Sequence, residues 1–130
     1  MRPISDSFAP ATITTSIAYG SLSVVVGAAL IRALIAPGGG GWQALVFALM
    51  PDVPGVLSID SSLARGQLHP RAVPLYNVLH SLAWPVALGI ASVTWLGLPW
   101  LVASLAWALH ISLDRMMGYG PRTKDGFKRG

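Results

Sequence analysis

Four stretches of this chain, about residues 13–35, 42–59, 73–96 and 99–117, run almost without charge over lengths close to the ~20 residues that carry a helix across a bilayer. Backbone groups in hydrocarbon find no water to bond, so such stretches must satisfy themselves as helices. The composition agrees, being 53% hydrophobic and only 11% charged. A mean hydropathy of +0.59 is too apolar for one small soluble domain, whose surface needs far more charge. The expected fold is therefore all-α: a polytopic membrane protein with a four-helix transmembrane bundle over residues 13–118. A short polar lead, 1–12, precedes it and a basic tail, 119–130, follows. A multi-pass protein of the inner (plasma) membrane is the expected setting, and a cleaved signal peptide is the competing reading of the first stretch. Arg2 alone makes a poor n-region, and three further spans follow.

The breakers divide the spans. Pro37 and Gly38 to Gly41 end the first in a hairpin loop. Pro51-Asp52-Val53-Pro54-Gly55 interrupts the second near its middle, and Pro85 is expected to kink the third. Gly97-Leu98-Pro99 turns tightly into the fourth, with Trp95 and Trp100 placed as an interfacial belt. The longest polar connection is Ser58 to Pro74. Ser16, Gly20, Ser23 and Gly27 form a small-residue stripe on the first span, suited to close approach by another helix, either within the bundle or in a homo-oligomer.

In a four-span arrangement, Arg2, Arg65, Arg71, Arg115, Arg122, Lys124, Lys128 and Arg129 collect on one side and Arg32 alone on the other. The positive-inside rule then puts both termini and the middle loop in the cytoplasm. Basic residues at span ends suit membrane lipids as partners, with Arg115, Arg122 and Lys124 facing headgroups, and nucleic acid is not the partner this pattern expects. With no cysteine, disulfides, thiolate metal sites and thiol catalysis are excluded.

The five acids are all aspartates, and Asp52, Asp60 and Asp114 fall within or beside apolar runs. His110 and Asp114 share one helical face by their spacing of four. His80 lies seven residues into the third span, roughly 10 Å from the cytoplasmic side at helical rise, and His110 lies at matching depth in the fourth. Asp52, Asn77, His80, His110 and Asp114 are thus expected to converge in the inner half of one bundle, with Arg115 beside them and Tyr76 and Tyr119 as candidate lining. Ionisable groups at membrane depth are paired and often functional.

Three readings of the cluster compete. In the first, it is a self-satisfied network that fixes helix register in a structural or accessory protein or in a subunit of a membrane complex. Alternatively, His80, His110, Asp114 and Asp52 hold a divalent metal, zinc, manganese or iron, in a metal-dependent hydrolase acting on a lipid or anionic substrate. In the third, the two histidines ligate haem in an electron carrier.

Pro51-Asp52, then Asn77-x-x-His80, then His110-x-x-x-Asp114-Arg115-x-x-Gly118-Tyr119-Gly120 with Phe127-Lys128 resembles the domain of unknown function 4260 family over most of the chain. That resemblance implies a small bacterial integral membrane protein of about four helices, with no activity established. The chain departs from the pattern after Gly120, where Pro121-Arg122 stands for the usual Leu-Lys, and it lacks the Asp-Thr-His run usual after Lys128. A ligand in that run would be missing here. The Pro-Asp pair with intramembrane histidine is also loosely similar to membrane-bound metal-dependent hydrolases.

Overall fold

A computed structural model describes residues 13–128; the polar lead and Arg129 lie outside the described residues. Among those described, the chain is helical, and its one extended feature is an antiparallel bridge between Arg122 and Lys128. Helix α1 covers Ile13–Ile35 and ends where Pro37 removes a donor and Gly38 turns the backbone to φ +82°. Helix α2, Gly41–Leu49, continues as a 3-10 turn, Met50–Asp52, and a short α3, Val53–Leu57. Pro51 and Pro54 cannot donate to the helical ladder, so the chain tightens there instead of continuing.

The loop beyond α3 is built from local polar contacts. Asp60 Oδ1 accepts the Ser62 N–H at 2.9 Å, a bond that holds this carboxyl below the usual carboxylate range. His69 Nδ1 accepts the Arg71 N–H at 3.1 Å and so caps the turn Pro70–Ala72. Asp60 and His69 are thereby occupied away from the histidines of the spans.

The third apolar stretch is not one helix. Helix α4, Val73–Leu79, and helix α5, Ala83–Ala91, meet at a 41° bend, and a π-helical turn, Ser92–Leu96, extends α5. The sequence places this kink at Pro85; the break falls one turn earlier. Proline has no N–H for the carbonyl four residues back and clashes with it, so the Ser81 carbonyl takes the Trp84 N–H at 3.4 Å instead and the helix stops at His80. Helix α6, Leu98–Met116, follows Gly97, whose φ of +87° makes the turn.

α6 is the hub. Val102, Ala103, Ile111 and Ser112 are fully enclosed as α1, α2 and α5 pack around it. The stripe on α1 is taken up inside the chain: Ser16 Oγ donates to the Met116 carbonyl at 3.0 Å, and Gly20 and Gly27 admit Met116 and Leu109. On the other flank Trp42, Phe47, Trp100 and Trp107 interlock with ring centroids 5.8–6.1 Å apart.

Polar residues share the interior with the apolar core, and many large apolar residues lie on the surface. Ser23, Gln43, Ser92, Ser104 and Ser112 are inside, while Ile13, Val24, Ile31, Ile35, Leu57, Val93 and Trp95 face outward. Among the described residues, helix α1 alone is long and apolar enough to cross a membrane; the bent pair Pro70–Leu79 with Ala83–Leu96 counts as a second if taken as one span. Of the four spans expected from the sequence, the first is one long helix, the second and third are broken, and the fourth is α6, whose 19 residues include His110, Asp114 and Arg115.

The basic tail folds back. Leu68 N donates to the Gly126 carbonyl at 2.8 Å, and Gln67 Nε2 donates to the Asp125 carbonyl at 2.9 Å. Gly126 has φ +93°, and a Cβ there would collide with the Leu68 carbonyl. Gly126→Ala should therefore unlatch the tail and remove about 1–3 kcal/mol of stability. A lower melting temperature in detergent and faster tryptic cleavage at Arg122 and Lys124 are the expected readouts.

Candidate metal centre

The site is assembled where two helices are interrupted. Asp52 ends the 3-10 turn after α2, His80 stands at the C-terminus of α4, and His110 and Asp114 lie one turn apart on α6. His80 Nε2 is 3.2 Å from Asp114 Oδ2, 3.4 Å from Asp52 Oδ1 and 3.3 Å from His110 Nε2. His110 Nε2 is 3.4 Å from each of the same carboxylate oxygens. All four atoms fall within 4.8 Å of one another.

The orientation of His80 is locked. Its Nδ1 lies 2.8 Å from the Tyr76 carbonyl, which can only accept, so Nδ1 carries a proton. Neutral His80 therefore turns a lone pair at Nε2 into the cluster, as a metal-ligating imidazole does when its second nitrogen is bonded to a carbonyl. Tyr76 stacks on the ring with centroids 3.8 Å apart.

The bend that creates this corner frees carbonyls at the end of α4, and α6 takes them. Trp107 Nε1 donates to the Leu79 carbonyl at 2.7 Å, and Arg115 Nη2 donates to the His80 carbonyl at 3.2 Å. Neither bond follows from sequence spacing, because both join helices about thirty residues apart. The side chains of His80, His110 and Asp114 are 3%, 13% and 17% exposed, whereas Asp52 is 53% exposed at the mouth.

Of the residues expected to converge, Asp52, His80, His110 and Asp114 do so. Asn77 does not join them. Its side chain pairs with the backbone of Arg122, accepting from N at 2.7 Å and donating to O at 3.0 Å. Arg115 is bonded to the His80 carbonyl, and Arg122 Nη1 donates to the Gly66 carbonyl at 2.9 Å, while Lys124 is exposed. Lys128 Nζ sits 3.5 Å over the Tyr119 ring. Haem does not fit. Iron bound from both faces needs a porphyrin plane between the imidazoles, and here the two carboxylates fill that space at 3.2–3.4 Å from both nitrogens.

Two cavities meet the cluster. A cleft of about 360 Å³ is lined by Asp52, Asp114, Tyr76, Tyr119, Arg122 and apolar residues of α3 and Leu68. An apolar groove of about 620 Å³ between α1, α2 and α6 ends on His110.

Among comparisons with known proteins, the family model described as Domain of unknown function (DUF4260) matches residues 20–130. No curated protein and no solved structure matches.

The geometry makes metal content testable without a substrate. The purified chain should take up about one zinc ion, measured by mass spectrometry of the metal. His80→Ala and His110→Ala should each lower affinity by about 100-fold or more, with helix content by circular dichroism unchanged. Asn77→Ala should keep the metal. Full occupancy in His110→Ala would mean that the histidine is a packing residue.

Proposed function

The chain belongs to the DUF4260 family, and from that premise we propose that it is a multi-pass membrane protein with a divalent metal centre, acting as a metal-dependent hydrolase at the cytoplasmic face. The observation that carries this reading is the set of contacts among two imidazole nitrogens and two carboxylate oxygens at 3.2–3.4 Å. All four donor atoms lie within 4.8 Å of one another, close enough for one divalent ion to be held among them. The donor set itself, nitrogen and oxygen without sulfur, suits zinc, manganese or iron.

A self-satisfied polar network is less consistent with these contacts. Protonating both imidazoles sets two N–H donors 3.3 Å apart, each with carboxylate acceptors at 3.2–3.4 Å, and protonating one leaves the other's lone pair facing carboxylates. A single divalent cation removes every one of these conflicts.

Bound there, the metal supplies Lewis acidity that activates water and polarises the scissile group. The chain's own residues do the rest. His80, His110 and Asp114 are the buried ligands, oriented by the Tyr76 carbonyl and by the packing of α6. Asp52, half-exposed on a single turn at the mouth of the cleft, would be the base that takes the proton from water. The apolar groove ending on His110 and the outward apolar face of α1 support a substrate or site open to lipid. The charge asymmetry supports four crossings with both termini cytoplasmic.

Zinc-loaded protein in lipid nanodiscs should hydrolyse ester substrates, and removal of zinc by a chelator should stop it. Asp52→Asn should retain zinc yet lose about 10²–10⁴-fold in rate. Equal rates with and without metal would overturn the hydrolase reading. A reporter fused after Gly130 should be active only on the cytoplasmic side.

A further inference from the structure

The cleft that reaches Asp52 and Asp114 is also lined by a cation, Arg122. Its placement is fixed from several directions. The backbone of Arg122 is paired on both sides by Asn77, at 2.7 and 3.0 Å. Nη1 is held at 2.9 Å by the Gly66 carbonyl, and the guanidinium lies 5.5 Å from the centroid of the Tyr76 ring. Yet Nε is buried without a partner. A buried donor left unused is unfavourable in a group that serves only to close the fold, and its neighbours in the cleft are the carboxylates of the proposed centre.

The charges identify the ligand. Two aspartates balance one divalent ion, and Arg122 then leaves the cleft with one net positive charge, matched by an anion. An anion placed here meets a metal on one side and a planar guanidinium fork on the other. A phosphate group has oxygens directed to both at once, with a further oxygen to carry the rest of the substrate, and the guanidinium geometry suits it.

We propose that the substrate is a phosphate monoester, bound with its phosphate between the metal centre and Arg122. This inference rests on the metal-centre reading. In the reaction, the oxygen of water bonds to phosphorus as the bond from phosphorus to the ester oxygen breaks. Asp52 accepts the proton from water and delivers it to the departing alcohol, leaving inorganic phosphate and a free hydroxyl compound. Arg122 touches the phosphate throughout and is the specificity residue; Asn77, acting through it, is a positioning residue.

The test is binding of inorganic phosphate to the zinc-loaded full chain in nanodiscs, by calorimetry, with zinc measured on the same samples. Wild type should bind phosphate, and Arg122→Gln should bind it about 10- to 100-fold more weakly with one zinc per chain retained. Should Arg122→Gln lose its zinc, Arg122→Lys carries the test: it keeps the charge without the fork and should bind phosphate several-fold more weakly than wild type. A chain that takes up no zinc overturns the metal reading and this one together. A chain that takes up zinc yet binds phosphate equally well without Arg122 overturns this inference alone. Phosphate release from phosphatidic acid in the nanodisc places the ester on a lipid, and release from glycerol phosphate in solution places it on a soluble compound. Either supports the proposal, and release from neither overturns it.

Discussion

A helix that stops among apolar neighbours must hand its last carbonyls to someone else, and in this protein that demand fixes the relation between α4 and α6. The Leu79 and His80 carbonyls are taken by Trp107 and Arg115, eight residues apart on the same helix. Two attachments of that spacing leave α6 no freedom to slide or rotate. His110 lies between them along α6, and so it is brought against His80. The registration of the two histidines is therefore a by-product of satisfying backbone groups where water is scarce.

Much of the fold was legible because it rests on local chemistry. The end of α1 follows from Pro37 and the glycine run, the interruption of the second stretch from Pro51 and Pro54, and the shared face of His110 and Asp114 from a spacing of four. Depth comparison along antiparallel spans then brings His80 and Asp52 to the same place. The bend at His80 was less legible, since nothing between Leu79 and Leu82 is a breaker; the cause, Pro85, acts one turn upstream of itself.

The roles of Asn77 and Arg122 were not legible at all. They depend on the tail returning across forty-five residues to pair with α4, a contact that no periodicity encodes. Spacing puts Asn77 one turn from His80 and so suggests membership of the cluster. The returning tail claims the amide instead. Arg115 is a similar case, its position at the end of α6 suggesting a solvated headgroup contact while the freed His80 carbonyl draws it inward.

The order of the four cluster residues along the chain also bears on biogenesis. Asp52 and His80 are synthesised well before His110 and Asp114, and the tail that closes over them comes last. While α6 is still missing, the α4 end has unclaimed carbonyls and His80 and Asp52 lack most of their partners. The early segments are therefore an incomplete intermediate whose polar groups gain their partners only when the final helix and tail arrive.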